Sequence, residues 1–379
     1  MKFFIYLHVL ILTIVCTLNS KADDMYSLPE NLDLQMVNIL FRHGDRTPEV
    51  AYGETYPKDP YINETYYPIG YGALTNKGKY RAFKLGMFLR KRYNKFLGDI
   101  YIPQDVTARS TNVERTKMTL LLVLAALFPP LDSSEKWHSN LNWQPIPITY
   151  EEGENFLQTS SGCPKYRKIL QEIRESSTVI EESKKFKTLW DELSKFTGES
   201  ITRSSQAHTL YNTLISHESM SFHLPNWAKK ILIDKEFLKS VALSVHTRNY
   251  NDTLKKMNAG TLLRKMTYDM ISKKMGNLEK GKKINLYSAH DSNVASHLLA
   301  LGVTKPHQPY YTSSVILELY CDNEKNYYVQ VVHYKGHSEK IKILQIPNCT
   351  SNKYNMCKFN DYLKSVEKVI PTEDEMKCT

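Results

Sequence analysis

The chain has 379 residues, of which 41% are hydrophobic and 24% charged, and a formal net charge of +10. This composition is that of a globular protein and excludes a disordered or low-complexity chain, and the length is sufficient for a large core or for two domains. The lysines are spread in pairs along helix-like segments without interleaved aromatic residues. That distribution favours a solvated surface and argues against nucleic acid as a partner.

The N-terminus has the pattern of a secretory signal peptide. Lys2 precedes an apolar run from Phe3 to Leu18, and Ser20-Lys21-Ala22 fits the small-x-small cleavage pattern. The apolar run is shorter than the roughly 20 residues of a membrane span, and the polar C-terminus has no lipid-anchor signal. We therefore predict a signal peptide over residues 1–22 and a secreted protein without a membrane anchor.

The first part of the mature chain alternates between strand and helix patterns. Leu34–Phe41 is apolar and partly β-branched, which predicts a buried strand that runs directly into a loop of charged residues. Leu74–Leu97 is predicted to be a helix with Thr75 as its N-cap. Val106–Ala108 is predicted to be a short strand that ends at Arg109.

A helix is predicted to follow this second strand. Thr111 and Glu114 have the spacing of a capping box, and Pro129-Pro130 ends the helix after Phe128. An open question at this point is whether Arg109 points to a ligand or pairs with Glu114.

The middle of the chain differs from both ends. Residues 163–281 are polar, lysine-rich and helix-periodic, with almost no strand signal. We therefore predict an α/β fold with a mixed, mainly parallel central sheet flanked by helices, into which a smaller, mostly helical domain is inserted. The α/β core would comprise residues 23–162 and 282–379, and the inserted domain residues 163–281.

Strand patterns return after the helical middle. Ile284–Tyr287 is strand-like and runs into Ser288-Ala289-His290-Asp291, and a helix over Asp291–Leu301 follows. Ser314–Tyr320 and Tyr327–Tyr334 have the pattern of an antiparallel hairpin.

Three strand ends carry charged side chains that could share one pocket. In an open α/β sheet, ligands bind beyond the carboxyl ends of parallel strands, where helix N-termini favour anions. If the three strands are parallel neighbours, the side chains that converge there are those of Arg42, His43, Arg46, Arg109, His290 and Asp291. Arginine forks bind phosphate oxygens, so this set predicts a phosphate site.

The chemistry of these side chains assigns each a role. His43 lies between Arg42 and Arg46, whose charges lower its pKa, so its neutral ring is the candidate nucleophile. The arginines and His290 would hold the phosphate oxygens. Asp291 would protonate the leaving oxygen and then deprotonate the water that hydrolyses the intermediate.

The motif "RHGDRTP" at residues 42–48, together with "SAHD" at 288–291, resembles the histidine acid phosphatases. The segment at residues 106–130 also resembles that family's second arginine segment, and the likeness is greatest to prostatic, lysosomal and insect secreted or venom acid phosphatases. The resemblance implies the same roles for the six residues above, small phosphomonoester substrates, and no metal or other cofactor. It also implies a homodimer, because many members are dimers and Trp137 falls at the dimer contact of one of them.

Five cysteines remain in the mature chain, without a C-x-x-C pair, which favours disulfides over a zinc site. Cys349 and Cys357 are close in sequence and are predicted to pair. The resemblance implies a second pair, Cys163 with Cys378, which leaves Cys321 as a free thiol. Three sequons, at Asn63, Asn251 and Asn348, allow glycosylation of a secreted chain.

These observations predict a secreted acid phosphatase, outside the cell rather than in the lysosome. Two alternatives stay open. One is a phytase-like inositol phosphate phosphatase, because that subgroup shares the motif, and the other is a secreted binding protein or allergen that has lost its activity.

Overall fold

A seven-stranded sheet organises the protein in this computed structural model, which describes residues 28–150, 157, 160–278, 281–338 and 340–377. The predicted signal peptide and Cys378 lie outside the described residues. The strands are β1 (Asp33–Arg42), β2 (Val106–Ser110), β3 (Ile284–Ala289), β4 (Ser314–Cys321), β5 (Tyr327–Tyr334), β6 (Ile341–Leu344) and β7 (Cys357–Lys358).

Helices flank this sheet and fill the interval between β2 and β3. They are α1 (Asn76–Leu97), α2 (Glu114–Leu127), α3 (Pro164–Arg174), α4 (Ser177–Lys184), α5 (Lys187–Thr197), α6 (Ser204–Ser219), α7 (Asn226–Ile231), α8 (Lys235–Arg248), α9 (Asp252–Lys255), α10 (Thr261–Met275), α11 (Asp291–Ala300), α12 (Phe359–Val366) and α13 (Glu373–Met376). The predicted fold class, an α/β protein with a mixed sheet flanked by helices, is confirmed.

The strand order places three parallel strands side by side. The order is β2-β3-β1-β4-β5-β6, with β7 beside β5, and β3 pairs in parallel with both β1 and β2. The other pairings, from β1–β4 outwards, are antiparallel. In the parallel ladders Arg42 lies opposite Ala289 and Ser110 lies opposite Ser288, so the three carboxyl ends share one edge of the sheet.

Each face of the sheet packs against a different set of helices. Alternate residues of β1 point to opposite faces, as the two-residue period of a strand requires. Ile39 belongs to a buried cluster with α1 and α2, whereas Leu40 belongs to a cluster with α10 and α11. Both side chains are fully buried, so β1 lies at the centre of the core.

The predicted helical middle is helical among the described residues from Pro164 to Leu278. A third buried cluster joins α5, α6 and α8 through residues such as Trp190, Leu214 and Phe237. It also contains Tyr311, which precedes β4 beside the carboxyl end of β1. The division of the chain into a core and an inserted domain stays a prediction.

Two boundaries differ from the sequence prediction. β2 continues through Arg109 to Ser110, and α2 begins at Glu114 with Val113 as its N-cap. The predicted capping box is therefore wrong, because the Thr111 hydroxyl lies 2.8 Å from the Thr116 hydroxyl and accepts no hydrogen bond from the helix start.

The cysteines and sequons are placed as follows. Cys349 and Cys357 form a disulfide, and Cys321 is a buried free thiol at the end of β4. Cys163 is disulfide-bonded, and its pairing with Cys378 stays a prediction. Among the sequons, the asparagines at 63 and 348 are exposed, while that at 251 is half-buried and caps α9.

Candidate active site

The loop after β1 is fixed by hydrogen bonds on both sides. The His43 backbone N–H donates to the Ala289 carbonyl at the end of β3, and the His43 carbonyl accepts from Thr312 N–H at 3.2 Å. Gly44 packs against the start of α1 so closely that an added Cβ would collide with the Gly78 carbonyl. The backbone of His43 is therefore held between two strands and a helix.

The ring of His43 is neutral and has one defined tautomer. Its Nδ1 lies 2.8 Å from the Gly44 carbonyl oxygen, and a carbonyl can only accept, so Nδ1 carries the proton. Burial lowers the pKa of His43 well below its ordinary value, and the charges of Arg115 and Arg42 lower it further. The Nε2 atom consequently has a free lone pair.

Arg42 is buried, and its guanidinium contacts Asp291 and residues that precede β4. Its Nη1 donates to the Pro309 carbonyl at 2.7 Å, and its Nη2 lies 2.9 Å from Oδ2 of Asp291. The guanidinium also stacks 4.2 Å above the centre of the Tyr311 ring. These three contacts fix its orientation.

Arg46 is held by a buried carboxylate that the sequence did not indicate. Both of its Nη atoms donate to Glu54, which also accepts from the backbone N–H of Glu49. Burial alone would lower the pKa of Arg46, but the Glu54 carboxylate outweighs it and raises the pKa above its ordinary value. Arg46 is thus a permanently charged, oriented donor.

The third arginine at the pocket is Arg115, and the prediction of Arg109 is corrected. Arg115, in the first turn of α2, lines the cavity together with His43, whereas Arg109 is absent from its lining. The reason is the level of Arg109 in the sheet: it lies opposite Tyr287, two positions before Ala289, which is the partner of Arg42. Arg115 donates to Glu49 at 3.2 Å.

His290 and Asp291 stand at the N-terminus of α11. His290 is the N-cap residue, its Nε2 lies 3.2 Å from Thr111 Oγ1, and its ring centre lies 5.6 Å from that of His43. Burial, followed by the charge of Arg115, lowers the pKa of His290 to about 3, so it is neutral.

Asp291 is ionised in the unliganded protein. Burial by itself would raise the pKa of Asp291, but the charge of Arg42, together with smaller contributions from His208 and Arg46, outweighs burial and holds that pKa below its usual range. Oδ2 contacts Arg42, and it also accepts a hydrogen bond from Gln308 Nε2 at 2.8 Å.

A cavity of about 690 Å³ is lined by His43, Arg46, Arg115, His290 and Asp291, and Arg42 adjoins it through its ion pair with Asp291. The Nε atoms of Arg42, Arg46 and Arg115 are buried and have no hydrogen-bond partner among the described residues. A buried donor without a partner costs about 1–3 kcal/mol, so three of them in one site indicate that an anion is to be bound there.

Five of the six predicted residues meet at this edge of the sheet; Arg109 does not. The sequence reasoning missed Arg115 and Glu54. Arg115 had a usable signal, because it lies in the first turn of a helix that follows a parallel strand, where anions bind. Glu54 had none, since its contact with Arg46 depends on the fold of the intervening loop.

Among the described residues, no helix combines the length and the apolar character that a membrane span requires. The same residues contain no group of three or more His, Cys, Asp and Glu side chains arranged to hold a metal ion.

Comparison with known proteins places these features in a family. The family model for the histidine phosphatase superfamily (branch 2) matches residues 33–334. A venom acid phosphatase of Apis mellifera is 39% identical over 347 residues, which are 91% of this chain and 88% of that protein. A lysosomal acid phosphatase of Homo sapiens is 32% identical over 351 residues, 91% of this chain and 80% of that protein.

The fold also occurs in solved structures. The Hafnia alvei phytase in complex with tartrate has a TM-score of 0.69 and 17% sequence identity, and the match covers 91% of this chain and 98% of the phytase chain. At this identity the likeness concerns the fold alone.

Proposed function

We propose that this chain, which belongs to branch 2 of the histidine phosphatase superfamily, hydrolyses phosphate monoesters through a covalent phosphohistidine on His43. The observation that carries the proposal is the set of three buried arginine Nε groups without partners around a neutral His43. The donors match the oxygens of a phosphoryl group, and the Nε2 lone pair is a nucleophile for its phosphorus.

In the first step Nε2 of His43 attacks phosphorus and the ester P–O bond breaks. The Gly44 carbonyl holds the Nδ1 proton, which stabilises the positive charge that develops on the ring. Arg42, Arg46 and Arg115 neutralise the phosphoryl oxygens. Asp291 gives its proton to the leaving oxygen, so that an alcohol departs instead of an alkoxide.

In the second step water attacks the phosphoryl group and the N–P bond breaks. Asp291, now a carboxylate, takes the proton from that water, and inorganic phosphate leaves. Asp291 is ionised in the free protein, so it must receive its first proton with the substrate. A phosphate monoester monoanion brings that proton, which favours reaction at acidic pH.

We propose further that the protein acts outside the cell. The signal peptide pattern, the sequons and the disulfides support secretion, and one relative that is 39% identical is named a venom acid phosphatase. Its substrates would be small phosphomonoesters.

A phytase-like activity is the second candidate. Arg248 lines the same cavity as His43 and offers a cation beyond the first phosphate site. An inositol polyphosphate would place a second phosphate near it. The catalytic steps would be the same, and the difference would lie in substrate preference.

The test is phosphate release from nitrophenyl phosphate, alkyl phosphates and phytate by the wild type and by Asp291→Asn. We expect the wild type to turn over all simple esters, with little dependence on the leaving group. Asp291→Asn should slow alkyl phosphates by roughly 10²–10⁴-fold and nitrophenyl phosphate much less, since a phenolate leaves without a proton. A strong preference for phytate would favour the second candidate, and no turnover at all would indicate a binding protein that has lost activity.

A further inference from the structure

Asp291 ends a chain of hydrogen bonds that begins in the helical middle of the protein. Its Oδ2 accepts from Gln308 Nε2 at 2.8 Å, and Gln308 Oε1 lies 2.9 Å from Nε2 of His208 on α6. His208 Nδ1 lies 3.4 Å from Nη2 of Arg248 on α8. All four side chains line the cavity that contains His43.

Arg248 fixes the donor and the acceptor of each hydrogen bond between itself and Asp291. A guanidinium can only donate, so Nδ1 of His208 accepts and its Nε2 carries the proton. That N–H donates to Gln308 Oε1, which leaves the amide N–H of Gln308 for Asp291. Burial, and then the charge of Arg248, lower the pKa of His208 to about 4, which keeps this neutral tautomer in place.

The two oxygens of Asp291 are consequently unequal. Oδ2 accepts a hydrogen bond from Gln308 Nε2 at 2.8 Å and lies 2.9 Å from Arg42 Nη2 in an ion pair, so the positive charge of Arg42 disfavours a proton on this oxygen. Oδ1 accepts only from the Ser292 backbone N–H, at 2.6 Å, among the described residues. When the carboxyl is protonated, the proton must therefore reside on Oδ1.

We propose that Gln308 is a positioning residue for the proton donor: it occupies Oδ2 of Asp291, so that Oδ1 delivers the proton, and His208 holds its amide in the required orientation. The inference rests on the proposed function, in which Asp291 protonates the leaving group. As the His43 N–P bond forms and the ester P–O bond breaks, the Oδ1–H bond breaks and its proton goes to the leaving oxygen.

The test compares Gln308→Leu with a matched control, Gln330→Leu. Gln330 is also a buried glutamine, but its Nε2 donates to the Tyr354 carbonyl in the antiparallel part of the sheet. For each variant kcat and KM are measured on esters that range from nitrophenyl to alkyl phosphates. We expect Gln308→Leu to lower kcat about tenfold on alkyl phosphates and less than about twofold on nitrophenyl phosphate, with KM unchanged. Gln330→Leu should show no dependence on the leaving group.

A second pair of variants tests the role of His208. A glutamine at this position can still donate to Gln308 Oε1, whereas a leucine cannot. His208→Leu should therefore reproduce the selective loss on alkyl phosphates, and His208→Gln should restore most of it. An equal loss on all esters, no loss in Gln308→Leu, or identical His208 variants would overturn the inference.

Asp291→Asn, measured in parallel, separates this inference from the proposed function. If Asp291→Asn depends steeply on the leaving group while Gln308→Leu parallels the wild type, only the positioning role is refuted. If Asp291→Asn itself shows no such dependence, the proton-donor assignment fails, and the role of Gln308 fails with it.

Discussion

Burial and neighbouring charges decide which residues of the pocket are ionised, and they therefore affect how activity depends on pH. His43 and His290 are kept neutral by burial and arginines, and Asp291 is kept ionised mainly by Arg42. The pKa values of all three groups are lowered, so above about pH 5 none of them changes its charge in the free enzyme. The group that titrates near neutrality is the substrate, whose second phosphate pKa is about 6.

We therefore expect the pH dependence of kcat/KM to be set by the second pKa of the substrate. As pH rises through the second pKa of the ester, the monoanion loses the proton that Asp291 needs, and log kcat/KM should fall with a slope of −1. Esters with a more acidic second pKa should lose activity at correspondingly lower pH. A fall at one fixed pH for all esters would mean that a group of the enzyme controls the profile.

Because Arg115 lies at the pocket and Arg109 does not, we expect substitutions of these two arginines to affect activity differently. Arg115 lines the cavity beside His43, and Arg109 lies within the β2–β3 ladder. Arg115→Gln should lower kcat/KM by roughly 10²–10³-fold, the usual effect of removing one donor to a developing oxyanion. Arg109→Gln should have a much smaller effect on kcat/KM, provided that its thermal unfolding shows a folded protein. A larger loss of kcat/KM in Arg109→Gln than in Arg115→Gln would show that Arg109, and not Arg115, binds the phosphate.

Single residues differ in how far the sequence could predict them. Arg42, His43 and Arg46 follow a buried strand directly, so their place in the fold was readable from local pattern. Arg109 was misplaced because the end of β2 was predicted two residues too early. Gln308 and His208 are 100 positions apart, and no local signal predicts that they meet.

At the scale of elements, the site depends on how closely the β1 loop approaches α1. An added Cβ on Gly44 would collide with the carbonyl of Gly78, and neither of these atoms is on a flexible side chain. Gly44→Ala should therefore shift the loop that carries His43. We expect a lower melting temperature, from a loss of about 1–3 kcal/mol, together with a loss of kcat.

Gly162→Ala is the matched control for stability, because nothing lies within 4 Å of its added Cβ. A Gly44→Ala protein with the melting temperature and kcat of the wild type would show that the approach of the loop to α1 is looser than the structure indicates.

Strands and helices were predicted well where one pattern determined them. The hydrophobic period of the sequence was sufficient to predict β1, α1 and the β4–β5 hairpin. The N-cap of α1 was also predicted, since the Thr75 side chain accepts a hydrogen bond from Gly78 N–H. The start of α2 was wrong because the Thr111 hydroxyl bonds to Thr116 and faces His290, a tertiary contact that outweighs the local capping pattern.

At the scale of the whole molecule, the sheet places three strand ends and two helix starts around one cavity. The arginines supply the positive charge that a metal ion would otherwise provide to a phosphoryl group. We expect the protein to keep its activity after exhaustive chelation. If activity is lost on chelation and is restored by added zinc or magnesium, an arginine-only mechanism is refuted.

The strands and helices at both ends of the chain could be predicted from the sequence, because each has its own local hydrophobic period or capping residue. The helical middle could be predicted only as helical. Which of its faces meets the active site depends on long-range packing, such as that of α5, α6 and α8 around Trp190 and Phe237. Residues from this interval, His208 and Arg248, line the cavity and were not anticipated.

The central claim is that His43 carries the phosphoryl group. A rapid quench that avoids acid, after mixing with labelled substrate, followed by digestion, tests it directly. We predict label on the peptide that contains His43, in an acid-labile and base-stable bond, and no label in His43→Ala. Label on a serine or threonine, or turnover by His43→Ala at the rate of the wild type, would contradict the account.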